Sequence, residues 1–147
     1  MLRQLSGRLD VLRHDDPLAA ARLRGLRMKE ELLRNAGGAL TAEEVGKLLG
    51  LTRQAVDKRR KPRRLVAMRF GKRGFLYPTF QLDEQLTPLV KRVLQAIDER
   101  VQDWSLLAFF LNGNPYLNGV RPAAALREGK LEEVLRAARA YGRQGAP

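Results

Sequence analysis

Apolar positions recur with a helical period along most of this chain. Leu2, Leu5, Leu9 and Leu12 fall at spacings of three and four, which predicts a first helical segment. Asp16 and Pro17 then carry the signature of a helix start, an N-cap followed by proline at the first helical position. From Leu18 to Asn35 a stripe of Leu18, Leu23, Leu26, Leu32 and Leu33 predicts a long helix, closed by Gly37-Gly38. The stripe fits packing against the segment that follows, with pairing to a second copy of the chain as the alternative.

A compact pattern occupies Thr41 to Lys61. Thr41 with Glu44 three residues on reads as a capping box and predicts a helix over Ala42–Leu49. Its inward face is expected to carry Ala42, Val45, Leu48 and Leu49. Gly50 suits the left-handed turn between two crossing helices, Leu51 packs inward, and Thr52 caps a second helix seated by Ala55 and Val56. Arg53, Gln54, Asp57 and Lys58 are then left on the outside. A helix that reads base edges needs this division between small apolar anchors and exposed donors at its N-terminal half. The pattern is that of a helix-turn-helix. Beyond Pro62, the runs Leu65–Phe70 and Phe75–Pro78 flank Gly71-Lys72-Arg73-Gly74, which predicts a β-hairpin with Lys72 and Arg73 at its tip. Phe70 and Phe75 are expected to face the core.

Residues 81–87 are polar and read as a connection. Pro88 opens a helix marked by Leu89, Val93, Leu94, Ile97 and Val101; Ser105–Leu111 is apolar almost all round and predicts a buried helix. Trp104 is expected in the core. Phe109 and Phe110 are adjacent, so one is expected inside and the other on a partner surface. Asn112-Gly113-Asn114-Pro115 is a turn, Pro122–Arg127 a short helix, and Leu131–Tyr141 a last helix. The fold class expected is mainly α: a helix-turn-helix with a small β-hairpin wing over 1–82, followed by a small helical domain over 83–147.

Charge changes the picture most. Arg53 to Arg73 holds ten bases (Arg53, Lys58, Arg59, Arg60, Lys61, Arg63, Arg64, Arg69, Lys72 and Arg73) against one acid, Asp57, a local +9 within a chain total of +12. Residues 1–80 carry 19 bases and 8 acids, residues 81–147 only 9 and 8. The front half is therefore expected to meet a polyanion, because each neutralised phosphate releases condensed counterions and adds affinity. Duplex DNA fits best. Arg53, Gln54, Asp57 and Lys58 would select sequence, while Arg59, Arg60, Lys61, Arg63, Arg64, Lys72 and Arg73 would add affinity through phosphates. RNA is the rival polyanion, although the chain offers no aromatic-bearing four-stranded sheet for stacking bases.

Enzyme chemistry finds little support. There is no cysteine, and His14 is the one histidine. Its neighbours Asp15 and Asp16 are better explained as helix capping than as an acid–base pair. No phosphate-binding glycine loop is present, since Gly71-Lys72-Arg73-Gly74 is too short to cradle a phosphate chain. No catalytic residue, metal ligand or cofactor is expected. No apolar run approaches the roughly 18 residues of a membrane span, and the expected location is the cytoplasm, on the nucleoid.

The C-terminal segment Trp104–Tyr141 resembles the toxin-binding domain of Xre/MbcA/ParS-type antitoxins. The resemblance is carried by Trp104, Leu106-Leu107, Asn114-Pro115, Leu117-Asn118-Gly119, Arg121-Pro122, Ala125-Leu126-Arg127-Glu128-Gly129, Glu132-Glu133-Val134-Leu135 and Ala137-Ala138. The strongly apolar Ala108–Leu111 run and the basic hairpin after the helix-turn-helix depart from the commonest pattern of that family. The resemblance implies a type II antitoxin: a homodimer that binds its own operator through its front half. It also implies that the back half docks a partner, often a RES-domain toxin that consumes NAD, by covering its active-site cleft. Carried onto this chain, the partner contacts are Arg136, Arg139 and Arg143; Tyr116, by its place in the turn, is a further interface candidate, with a core role as the alternative. The alternative is a stand-alone transcriptional or architectural factor whose C-terminal part dimerises or recruits another protein.

Overall fold

The computed structural model describes residues 16–72 and 74–143, and the expected Leu2–Leu12 helix lies outside them. The chain divides into two compact units, residues 1–32 and residues 33–147. The boundary expected between 82 and 83 thus runs through the interior of the larger unit.

Helix α1 spans Pro17–Asn35. It begins as its sequence dictates: the Asp16 carboxylate accepts the Leu18 N–H at 3.0 Å, and Pro17 needs no partner for a missing N–H. It ends in a Schellman turn, with Gly38 N–H donating to Leu33 O at 2.8 Å and Gly37 N–H to Arg34 O at 3.1 Å. Gly37 takes the left-handed position at φ 83°. Of the leucine stripe, Leu23, Leu32 and Leu33 are half-buried. No residue of α1 is buried, and Leu18, Leu26 and Met28 are exposed.

The larger unit runs β1 (Ala39–Thr41), α2 (Ala42–Leu49), α3 (Arg53–Arg60), β2 (Met68–Arg69), β3 (Phe75–Pro78) and a 3-10 turn (Thr79–Leu82). It continues through α4 (Thr87–Ala96), α5 (Trp104–Leu111), a second 3-10 turn (Pro115–Leu117), α6 (Pro122–Arg127) and α7 (Leu131–Ala140). The three strands form an antiparallel sheet in the order β1-β3-β2, with Leu40 opposite Tyr77 and Met68 opposite Leu76. The architecture is mainly helical with a small β wing, as the sequence pattern leads one to expect. The additional strand, β1, is three residues long, too short for a period of two to register.

Two apolar clusters hold the unit. Val45, Val56, Leu65, Ala67 and Tyr77 form the first, with Leu40, Leu49, Leu51, Phe75 and Leu82 packed against it. Leu48 is not part of it; 61% of its surface is exposed. The C-terminal helices bury Val90, Val93, Leu94, Leu107, Leu126, Val134 and Leu135. Each fully buried aliphatic side chain of this kind contributes about 1.5–3 kcal/mol. Phe109 and Phe110 are both buried rather than divided between core and surface. Phe110 meets Phe80 at 5.4 Å and Phe109 meets Tyr141 at 5.0 Å, so α5 is covered from two sides. The Tyr141 hydroxyl also donates to Ser105 O at 3.0 Å. Trp104, expected in the core, is only partly buried at the start of α5.

Gln81 is fully buried, although its segment reads as a polar connection. Its amide forms two short bonds with one backbone residue: Val66 N–H donates to Gln81 Oε1 at 2.6 Å, and Gln81 Nε2 donates to Val66 O at 2.7 Å. A side-chain amide here replaces a strand neighbour. This is why Leu65–Ala67, expected in the hairpin, is buried without belonging to a strand. Replacing Gln81 by leucine keeps the volume and strands both Val66 groups in the interior. The Gln81→Leu protein is expected to lose about 2–6 kcal/mol of stability, at about 1–3 kcal/mol per orphaned group. Urea unfolding checks this, and a midpoint equal to the parent's would show that the pair carries no net stability.

Candidate nucleic-acid interface

The helix-turn-helix is fixed by caps and by close backbone contact. Glu44 N–H donates to Thr41 Oγ1 at 3.3 Å and Thr41 N–H to Glu44 Oε1 at 3.0 Å, completing the capping box. The bond from the Thr41 backbone, then that from its hydroxyl, hold the Glu44 carboxyl below the usual carboxylate range. Gly50 adopts φ 70° between the helices. Gly46 makes the crossing possible: its O accepts Leu51 N–H at 2.8 Å, and a Cβ at Gly46 would stand 2.5 Å from Leu51 O. Sequence reading found Gly50 but not Gly46, although a glycine inside a capped eight-residue helix is itself a signal of close approach. Thr52 Oγ1 accepts Ala55 N–H at 3.1 Å and starts α3, which Val56 anchors in the core.

On that frame Arg53, Gln54, Lys58 and Arg59 are exposed along α3, Lys61 and Arg64 follow it, and Arg69 and Lys72 are exposed on the hairpin. Arg73 lies outside the described residues. Arg53 approaches Glu43 at 3.7 Å, but both side chains are mostly in solvent, so the pair is worth at most about 1 kcal/mol and leaves Arg53 free to reorient. Asp57 is half-buried and faces Arg60 at 3.5 Å, one turn along the same helix.

Two of the expected phosphate contacts have partners within the fold. Arg60 lies with its guanidinium 3.7 Å from the centroid of Phe75, and Arg69 reaches the same ring at 5.2 Å. These cation–π contacts tie α3 and β2 to β3. Arg63 turns away altogether. It sits at φ 56° in the left-handed slot that ends α3, where Arg63 N–H donates to Arg60 O and Arg64 N–H to Arg59 O, both at 3.0 Å. Glycine ordinarily fills that slot. The Arg63 guanidinium donates to Ile97 O at 3.4 Å, Asp98 O at 3.3 Å and Val101 O at 3.2 Å, satisfying carbonyls at the end of α4. Burial lowers its pKa, and the charges of Asp98 and Glu99 oppose that shift. The same turn explains why α4 stops at Ala96 rather than running to Val101. Asp98 Oδ1 accepts Arg100 N–H at 2.9 Å and its carboxylate grips the Arg100 side chain at 2.8 and 3.0 Å, which leaves Asp98 well below the usual carboxylate range.

The expected partner residues are all exposed. Tyr116 is 60% exposed on the second 3-10 turn, which Asn114 caps by accepting Tyr116 N–H at 2.9 Å. That turn packs on α7, where Arg136 and Arg139 are exposed, and Arg143 is exposed just beyond it. The turn is as tightly made as the helix-turn-helix: a Cβ on Gly113 would stand 2.5 Å from Gly119 O.

Among the described residues no group of three or more His, Cys, Asp or Glu could hold a metal ion, and no helix is long and apolar enough to cross a membrane. His14 and Asp15 lie outside those residues. Comparison with family models, curated proteins and solved structures found no match to this chain.

The Arg63 clasp is open to direct measurement. Arg63→Gly removes the three donated bonds but relieves the left-handed backbone, with an expected loss of about 1.5–3 kcal/mol. Arg63→Ala removes the same bonds and keeps the strained φ, for roughly 1 kcal/mol more. Thermal or urea unfolding of the pair should rank alanine below glycine; the reverse order would sink the assignment.

Proposed function

We propose that this chain is a sequence-specific duplex-DNA-binding regulator that acts on its own promoter as a homodimer. The observation that carries the reading is the juxtaposition of α3 and the hairpin. A helix anchored by Val56 presents Arg53, Gln54 and Lys58 to solvent, beside a β ribbon whose tip carries Lys72. In this reading α3 enters the major groove, about 12 Å wide and able to admit a helix. Arg53 donates to guanine and Gln54 pairs with adenine, while Lys58, Arg59, Lys61, Arg64, Lys72 and Arg73 neutralise phosphates. Arg60 and Arg63, already engaged within the fold, position the reading surface rather than touch DNA. Two copies would read two half-sites about 34–36 Å apart along the duplex.

The resemblance of Trp104–Tyr141 to antitoxin toxin-binding domains extends the proposal. The exposed residues Tyr116, Arg136, Arg139 and Arg143 dock a protein partner, a RES-domain toxin whose NAD-consuming cleft they cover. The reading has no chemistry of its own and needs no cofactor.

Binding of the purified protein to its own promoter and to random duplex, across a salt series, tests the first part. Arg53→Ala is expected to cost ~1–3 kcal/mol at the preferred site and to relax base choice there; Lys72→Ala should weaken all sequences alike and reduce the salt slope by about 1. A sequence-uniform loss from Arg53→Ala would remove α3 from the groove. For the second part, co-expression with a RES-domain toxin encoded beside this gene should restore growth. Rescue should fail for the pair Tyr116→Ala and Arg139→Glu while promoter binding persists; full rescue by that double variant would place the docking surface elsewhere.

A further inference from the structure

We infer that Phe70 is an apolar wedge that enters a base step of the duplex from the minor groove and kinks it. The inference rests on the proposed DNA-binding reading and adds a deformation of the DNA to it. Strand alternation puts Phe70 on the same face as Met68, which is completely buried. The ring does not stay there. The strand ends at Arg69, Gly71 takes φ 58°, and Phe70 stands 46% exposed at the start of the tip.

Its surroundings separate it from an ordinary surface phenylalanine. The neighbouring Phe75 is covered by the guanidiniums of Arg60 and Arg69, whereas Phe70 meets no ring and no cation among the described residues. Its backbone is nonetheless held, with Phe70 N–H donating to Gly74 O at 3.0 Å, so the ring is presented from a closed turn rather than from a loose loop. On either side stand the exposed bases Arg69 and Lys72. A single apolar ring bracketed by cations is matched to a surface that is anionic outside and apolar within. The duplex is such a surface: phosphates flank the groove and stacked base faces lie between them. An apolar protein partner would strip water from the flanking charges and offer nothing in return.

Groove dimensions favour the same occupant. Two paired strands about 4.8 Å apart, with their side chains, exceed the roughly 6 Å width of an undistorted minor groove. Insertion of an apolar side chain between base pairs opens that groove and bends the duplex by about 20–90° toward the major groove. Phe70 therefore lets the ribbon tip seat fully, with Lys72 reaching a phosphate row. Pyrimidine–purine steps, the easiest to unstack, are the expected point of entry, so the hairpin would add sequence preference without any hydrogen bond to a base.

The test uses the full chain and its promoter duplex, with 2-aminopurine placed in turn at each step under the footprint and a donor–acceptor pair on the ends. Binding is expected to raise 2-aminopurine fluorescence at one step per half-site and to shorten the end-to-end distance. Phe70→Ala should bind with both signals lost, and Phe70→Leu, which keeps an apolar wedge, should retain them in part. Unchanged melting of the variants shows that the hairpin is intact. Binding without any unstacking or bend in the parent protein, or signals that persist in Phe70→Ala, would overturn the wedge and leave the DNA-binding reading standing. No binding to any duplex would remove both.

Discussion

The larger unit is organised around one buried amide. Gln81 is fully buried, and both of its polar atoms are spent on the N–H and C=O of Val66. An unpaired amide in such a place would cost several kcal/mol, so the sequence favours bringing the 3-10 turn and the strand approach together. That demand fixes more than one bond. It sets where Leu65–Ala67 lies, and hence where β2 enters the sheet and where α3 must have ended. It also places Phe80 against Phe110, so the path into the C-terminal helices starts from the same point.

Around that point the arginines divide their labour. In the stretch from Arg53 to Arg73 composition sees only a dense positive run. The fold sorts it by backbone position. Arg60 is laid on Phe75 and Arg63 is folded back onto carbonyls at the end of α4, while Arg53, Lys58, Arg59, Lys61, Arg64 and Lys72 stay in water. A guanidinium serves both uses because it is planar, permanently charged and rich in donors. The two inward arginines hold the spacing between α3, the hairpin and α4 that the outward ones need to act as a surface.

Much of this was legible in the sequence, and the failures are instructive. Caps are local chemistry, so Thr41 with Glu44, Thr52 and Asp16-Pro17 fixed their helix starts without tertiary help. Short apolar-periodic helices such as Pro122–Arg127 were equally readable. Three features were not. The strand Ala39–Thr41 is defined by its partner rather than by its own pattern. Gln81 looks like any polar linker residue until Val66 is beside it. Arg63 is indistinguishable from Arg64 by type, and only the left-handed turn after Pro62 sends one inward and leaves the other outside. Phe70 failed for a related reason: alternation assigns a face, but a strand that ends at Arg69 releases the next side chain from that face. The candidate DNA surface was therefore legible as a region, and its internal sorting was not. The expected partner residues rest on a resemblance, which names positions without fixing their geometry.

The join at Gln81 bears on how this protein could have evolved. Helix-turn-helix heads are often exchangeable cassettes, moved between effectors by cutting in a linker. Here residues 33–147 form one compact unit, with Phe80 and Gln81 contributing to the interior at the place where such a cut would fall. Severing the chain at 82/83 would expose the Phe110 ring and strip the C-terminal helices of Arg63, their distant donor. The two halves should therefore melt in a single cooperative step and diverge together. A change in what the surface of α3 meets would then come by substitution on α3 itself, not by domain exchange.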